Sequence, residues 1–411
     1  MTKIYPSQIR HALLVKSEIA VIDLRDECLF ALDHPLFAAQ IPFDRLELES
    51  EYRLPRRTTP VVVYDNGEGL TDRAVRTLGA LGYHNVGILD GGLQGWRDAG
   101  YELFQDVNSY CKAFGELVEH RRQTPSLTAA ELSRLIDKKA DIAILDARRF
   151  DEYNTMSVPT ATSVPGAELV WRAGSVAPDP NTLIIVNCAG RTRSIIGTQS
   201  LINSGIRNRV MALRNGTIGW TLVGQGLDTG QTRRADAPSN TEAGHAREAA
   251  RQVAYRAGVK WIDPDDLALL GHDGSRTTYC FDVRQPEEFR AGHIPGFINA
   301  PGGQLVQETD HFAPVRGARI VLADDAGPRA DMTASWLAQM GWDVLVLTGG
   351  FHEGLLMGDT DSPPPRGSEG CYKRPYEGTG NPAEAMQAYL DWEYGLVGQL
   401  ERDETHGFVV I

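Results

Sequence analysis

The chain has 411 residues, 42% of them hydrophobic and 23% charged, and 41 basic against 54 acidic side chains give a formal charge of −13. At roughly 150 residues per domain this length predicts two to four domains, and the acidic balance excludes a general nucleic-acid binder, which needs a cationic face to displace counterions. No apolar run approaches the roughly 18 to 20 residues of a membrane span, and the opening Met-Thr-Lys-Ile-Tyr-Pro lacks the apolar core of a signal peptide, so a cytoplasmic protein with no membrane partner is expected.

In chain order, the first element with a signature is a short strand ending in Ile22-Asp23-Leu24-Arg25. The ending returns at Leu145-Asp146-Ala147-Arg148 and at Phe281-Asp282-Val283-Arg284. Asp146 lies 123 residues after Asp23, and Asp282 lies 136 after Asp146. Pro42, Pro165 and Pro301 keep both offsets, as do Leu78, Leu201 and Leu337, and Gly82, Gly205 and Gly341. Two offsets held over so long a span mean three tandem copies of one domain.

Within each copy a Pro-rich stretch follows the first strand, as in Gly292-His293-Ile294-Pro295-Gly296. Next comes an apolar strand without polar alternation: Val61 to Tyr64, Leu183 to Val186, Ile320 to Leu322. Such strands suit a parallel sheet covered on both faces. A glycine-containing loop leads into a helix that ends at Gly82, Gly205 or Gly341, where glycine takes a left-handed cap cheaply. Another strand follows (Val86 to Leu89, Val210 to Leu213, Val344 to Leu347) and stops at Gly91-Gly92, Asn215-Gly216 or Gly349-Gly350. The fold class is α/β: three domains, each a parallel sheet flanked by helices, plus a C-terminal helical tail.

The copies are assigned to residues 1–107, 120–229 and 258–358. Residues 107 to 125 read as a polar connector, and 230–257 as a helical linker rich in Ala, Arg and Glu. In 359–411, Ser362-Pro363-Pro364-Pro365 forbids regular structure, and Asn381-Pro382-Ala383-Glu384 starts a helix with proline at its first position. Met386, Tyr389, Leu390, Tyr394, Leu396 and Val397 give that helix an apolar stripe, expected to pack on its own domain or on a subunit neighbour.

Cysteines occupy positions 28, 111, 188, 280 and 371, with no pair at CxxC spacing, so no zinc site, redox dithiol or disulfide framework is indicated. The offsets place Asp65, Cys188 and Asp324 at one position, the end of the central strand where it enters the loop. Open α/β sheets bind ligands at that end of their strands. The middle loop reads Cys188-Ala189-Gly190-Arg191-Thr192-Arg193 and leads through Ser194 into a helix. Backbone N–H groups of a tight turn, a helix N-terminus and two guanidinium groups all favour thiolate over thiol. An apolar burial site would not recruit two arginines, so Cys188 is the candidate nucleophile and Arg193 and Arg191 are candidate anion-binding groups.

With these residues in view, the chain resembles tandem rhodanese-homology sulfurtransferases. The resemblance spans roughly residues 1–358. It rests on Asp-x-Arg, on His293-Ile294-Pro295-Gly296, on the Cys-x4-Arg loop, on Gly91-Gly92-Leu93-Gln94-Gly95-Trp96 and on Asn215-Gly216-Thr217-Ile218-Gly219-Trp220. It implies a five-stranded parallel sheet in each copy and no cofactor. It also implies a Cys188 persulfide that passes sulfane sulfur to an acceptor, with Ala189, Gly190, Arg191, Thr192 and Arg193 holding the charged part of the donor. The six-residue loop resembles that of the sulfurtransferases, whereas related phosphatases and arsenate reductases use seven. Mercaptopyruvate sulfurtransferases resemble Cys-Gly-x-Gly-x-Thr here, from which Ala189, Arg191 and Arg193 depart, so thiosulfate is the expected donor, with cyanide, a thiol or a sulfur-accepting protein as acceptor.

The other copies depart from the family pattern. Asp65 and Asp324 replace the nucleophile, and Leu70 stands where the middle copy has Arg193, while the third copy keeps Arg329. Those copies are expected to be scaffold, lid or partner surface, and the alternative reading of the whole chain is a sulfur-relay or redox-sensing module in which they dock a partner. Asp324-Asp325 lacks the matching cluster a metal site would need, so no metal is expected. Arg148, whose counterparts persist where the thiol is lost, is expected to pair with Asp146 or a neighbouring carboxylate, and Trp220 to fill the core. Glu168-Leu169-Val170-Trp171-Arg172 has no evident counterpart in the other copies, so Trp171 is a candidate pocket wall and Arg172 a candidate donor clamp.

Overall fold

The computed structural model describes residues 2–352, 354–360 and 372–411. The Ser362-Pro363-Pro364-Pro365 run and Cys371 lie outside the described residues. Three parallel sheets appear in turn. In the middle copy the strand order is Ser126–Leu127, Val210–Leu213, Leu183–Asn187, Ile142–Asp146 and Thr162–Ser163. The third copy repeats it with Lys260–Ile262, Asp343–Leu347, Arg319–Ala323, Thr278–Asp282 and Ile298–Asn299. The first copy has five equivalent strands and a sixth that is not its own: Val315–Arg316, from the third copy, pairs antiparallel with Ile19–Asp23.

The central strands Val61–Tyr64 and Leu183–Asn187 are buried almost throughout, as continuous apolar runs in a covered parallel sheet require. Gly82, Gly205 and Gly341 close their helices at φ +89°, +76° and +84°, which is why glycine holds these places in every copy. The Asp-x-Arg element is structural in all three copies. Arg148 donates to Asp146 at 2.7–2.9 Å and to the Met156 carbonyl at 2.6 Å. Arg25 and Arg284 repeat this with Asp23 and the Asp33 carbonyl, and with Asp282 and the Gly292 carbonyl. Each arginine thus ties the strand end to a carbonyl eight residues on, a task independent of the thiol. Trp220 is a core residue at 2% exposure.

Two segments differ from the sequence reading. Residues 107 to 125 are not a polar connector: Ser109–Arg122 is a helix buried along most of its length. Its apolar residues Tyr110, Cys111, Phe114 and Val118 join the main core. Lys112 and Glu116 interrupt the pattern and are themselves buried, because charged partners from other elements meet them. Likewise, the segment around Trp171 has counterparts. Gly166–Glu168 and Leu169–Val176 match Phe43–Arg45 and Leu46–Arg53 at the first offset, and Gly302–Gln307 at the second. What the copies share there is the buried leucine (Leu46, Leu169, Leu305), while the outward residues have diverged.

The linker contains the helix Asn240–Arg256, which packs its Ala250 and Val253 against Met332 of the third copy. The tail helix runs from Ala383 to Asp403, with Pro382 just outside as its N-cap residue. It serves more than one copy. Gln399 donates to the Leu103 carbonyl at 2.8 Å and Arg402 pairs with Glu102, both in the first copy, while Tyr394 meets Arg191 of the second. Beyond it, the Val409 amide donates to the Gln339 carbonyl of the third at 2.8 Å. Among the described residues, no helix is long and apolar enough to cross a membrane.

Candidate active site

Cys188 follows the last residue of the central strand, and the helix Thr192–Asn203 begins four residues later. Its carbonyl accepts the Thr217 amide at 2.9 Å, and the Ala189 carbonyl accepts the Ile218 amide at 3.0 Å. The loop is therefore pinned from below by the Asn215-Gly216 turn. Gly216 has φ +50°, and a Cβ there would lie 2.3 Å from the Cys188 carbonyl oxygen. Only glycine allows this approach. Gly216→Ala is expected to cost at least about 3 kcal/mol, combining left-handed backbone strain with overpacking. Gly205→Ala, at φ +76° with open space around it, carries the strain alone, about 1–2 kcal/mol. Thermal unfolding of both variants checks the difference.

The silent copies show what the cradle binds. Asp65 accepts the Gly67 amide at 3.1 Å and the Leu70 amide at 2.6 Å. Asp324 accepts the Ala326 amide at 3.1 Å and the Arg329 amide at 2.9 Å. In each, a carboxylate takes the amides of the second and fifth residues after it. Gly190 and Arg193 occupy those places after Cys188. Two copies of the loop thus hold an oxygen anion of their own, and the third has a thiol at the same point.

The Cys188 thiol is 2% exposed, and burial pushes it above its ordinary range. Arg193 and the hydroxyl and amide of Ser194 pull it back down, while Glu393 pushes it up. The acidic thiol expected from the sequence is not what this closed loop presents, because the tail helix covers it. Cys111 and Cys280 are pushed up to about 12, chiefly by burial.

The loop arginines do not point together. Arg191 is bidentate to Glu116 at 2.6 and 2.8 Å, meets Glu119, and donates to the Tyr394 hydroxyl at 2.8 Å. Its charge is matched by the inter-repeat helix Ser109–Arg122. Arg193 pairs with Glu152 at 2.7 and 2.9 Å and lines a cavity of about 350 Å³ between the second and third copies. Glu152 repeats in the third copy as Glu288, which pairs with Arg329 at 2.6 Å. The first copy has Leu29 and Leu70 at these two places, so arginine and glutamate are kept or lost together. Arg329 also holds Asp324 and Asp325, which accounts for that acidic pair without a metal. Thr192 is buried against the inter-repeat helix; a Cβ on Gly115 would come 2.8 Å from its Cγ2.

Trp171 and Arg172 lie elsewhere. The Arg172 guanidinium pairs with Glu168 at 2.5 Å and donates to the Asp236 carbonyl at 3.0 Å. The Trp171 ring lies beneath Arg172 at 4.4 Å and Arg329 at 4.5 Å. Trp171 thus faces the third copy and Arg172 the linker, so neither forms a wall or clamp beside Cys188.

The sequence reading missed Glu116, Glu152 and Glu393. The signal for Glu152 was present, since Glu288 keeps its offset and Leu29 replaces it together with Leu70. Glu116 and Glu393 stand in segments outside the repeat, where no internal comparison exists.

Comparison with known proteins agrees with this geometry. The rhodanese-like domain model matches residues 9–99, 128–222 and 263–355. The chain belongs to the rhodanese-like family. Each match spans four strands of one sheet and begins just after its first strand (Thr2–Ile4, Ser126–Leu127 or Lys260–Ile262), and the cysteine loop falls in the second. A crystal structure of thiosulfate sulfurtransferase from Pseudomonas aeruginosa superposes with a TM-score of 0.97 and 48% identity, covering 100% of both chains. A second Pseudomonas aeruginosa thiosulfate sulfurtransferase sequence is 34% identical over 119 residues, 28% of this chain and 43% of its own. Mycobacterium tuberculosis SseB is 26% identical over 270 residues, 55% of this chain and 92% of its own. The likeness to the solved structure thus includes both silent rhodanese copies and the tail helix.

Proposed function

We propose that this chain is a thiosulfate sulfurtransferase in which Cys188 carries sulfane sulfur as a persulfide. The observation that carries the reading is the pair of silent loops, in which Asp65 and Asp324 seat a carboxylate on loop amides whose counterparts after Cys188 belong to Gly190 and Arg193. A thiol at that point can bring a persulfide anion to the cradle. The Cys188 thiolate attacks the outer sulfur of thiosulfate, a sulfur–sulfur bond forms, and the bond to the sulfite sulfur breaks. Sulfite leaves with the electron pair, so three negative charges stand on each side of the step. A thiophilic acceptor, cyanide or a thiol, then attacks the outer persulfide sulfur and restores the thiolate.

The loop from Ala189 to Arg193 holds the charged part of the donor through its amides. Arg193 contributes a field at Cys188, and Arg191 anchors the loop to its surroundings. The six-residue loop and the full-length likeness to a thiosulfate sulfurtransferase support this reading over phosphoryl or arsenate chemistry. The silent copies act as scaffold, consistent with the third copy completing the sheet of the first. Thiosulfate alone is expected to add the mass of one sulfur atom to the chain at Cys188 and to release one equivalent of sulfite, and cyanide then removes the sulfur as thiocyanate. Arylphosphate hydrolysis without adduct or thiocyanate would overturn the assignment.

A further inference from the structure

The tail helix Ala383–Asp403 sets a carboxyl group on the loop that carries the thiol. Glu393 is 1% exposed. Its Oε1 accepts the Tyr389 hydroxyl at 2.9 Å, and its Oε2 has no hydrogen-bond partner among the described residues. That oxygen lies 3.2 Å from where a Cβ on residue 190 would stand, so it rests against the bare Cα of Gly190. At the equivalent Gly67 the same position is open space. An ionised carboxylate with one buried, unmatched oxygen carries a desolvation penalty that the neutral acid avoids.

We propose that Glu393 is a positioning residue for sulfur loading: it must be uncharged for the Cys188 loop to take sulfur from thiosulfate. The proposal rests on the sulfurtransferase reading and adds a pH control to it. Loading gathers a thiolate and a dianion in one loop, and a charged Glu393 would add a fourth negative charge in a water-poor site. The same charge acts on the nucleophile, pushing the Cys188 thiol up.

The groups around Glu393 oppose one another. Burial, joined by the Glu116 carboxylate of the inter-repeat helix, pushes the Glu393 carboxyl up to about 8. Lys112 of that helix, the Tyr389 hydroxyl and Arg191 of the loop pull it down. Lys112 is itself held by Asp106 at 2.6 Å, and Arg191 by Glu116 and Glu119, so neither cation is left to Glu393 alone. Tyr376 stacks edge-on against Tyr389 and completes the enclosure.

The test uses the full chain and Glu393→Gln, which keeps shape and a hydrogen-bond donor without a titratable proton. Sulfite released in one turnover is measured from roughly pH 6 to 10, a range spanning the raised carboxyl and the thiol. Alkylation of Cys188 by neutral iodoacetamide is followed over the same range. In the parent, loading is expected to stop rising above the Glu393 limb, where the growing thiolate only offsets the loss of the neutral acid, and to fall about tenfold per pH unit once the thiol is ionised too. In Glu393→Gln that fall is absent, and the thiolate appears at lower pH. Tyr389→Phe removes a donor to the ionised carboxylate and should move the point where loading stops rising to higher pH.

A Glu393→Gln protein with the parent's alkaline limb and alkylation profile overturns the proposal. If that variant does not fold, a Tyr389→Phe protein in which loading stops rising at the parent's pH does so instead. A parent that thiosulfate loads at no pH overturns the donor assignment, and the alkylation arm then decides Glu393 without thiosulfate.

Discussion

Cys188→Ala is expected to abolish persulfide formation and to lower thiocyanate production from thiosulfate and cyanide by at least about 10³-fold, since the covalent intermediate has no other carrier. Cys111→Ala and Cys280→Ala should keep most of the activity. Both thiols are held near 12, so almost none of either is thiolate at neutral pH. Cys188 differs in its hydrogen bonds: the hydroxyl and amide of Ser194, together with the Arg193 charge, counter its burial. Initial rates, with intact mass after thiosulfate treatment, check this. Near-parent turnover by Cys188→Ala would sink the assignment.

Glu152→Leu should destabilise the protein, and adding Arg193→Leu should restore much of the loss. The first change leaves the Arg193 guanidinium, 14% exposed, without its carboxylate. Breaking a fully buried pair costs about 3–5 kcal/mol; with Glu152 partly exposed, about 1–3 kcal/mol is expected here. The double variant reproduces the Leu29 and Leu70 pair of the first copy, which folds around the same sheet without either charge. It should regain stability yet lose most of its sulfur loading, because the field that favours the Cys188 thiolate goes with Arg193.

The pH dependence has a definite sign. Burial opposes ionisation of Glu152, but Arg193, with Arg148 and Arg149, overcomes it and holds the carboxyl down at about 2. The stabilisation is present above the ordinary glutamate value and disappears as pH falls toward 2. The gap in unfolding free energy between parent and Glu152→Leu should therefore close on acidification. A gap that persists into acid, or a double variant no more stable than the single, would show that the ion pair is not the cause.

The three-fold repetition, the parallel sheets and the place of Cys188 at the mouth of the central loop were all legible in the residues. They depend on local signals that recur at fixed offsets: apolar runs of strand length, helix-ending glycines, and a thiol at a strand–helix junction. Asp-x-Arg was legible for the same reason, since its partners lie two and eight residues away. The environment of the thiol was not. Whether Arg191 faces a substrate or a protein carboxylate depends on Glu116, 75 residues away, and on Tyr394, 203 residues away. The helix Ser109–Arg122 looked like a connector because Lys112 and Glu116 broke its apolar stripe, and both are buried only because the assembled fold supplies their counter-charges.

Trp171 and Arg172 show the converse. Their residue types suited a pocket, but a helix face takes its role from what packs against it, and here that is the third copy for Trp171 and the linker for Arg172. The sequence by itself determined the candidate nucleophile and the strand–loop–helix backbone around it, through interactions spanning a few residues. Tertiary structure decided which charges remain available to that atom. Burial and pairing set those charges, and they come from segments far apart in the chain.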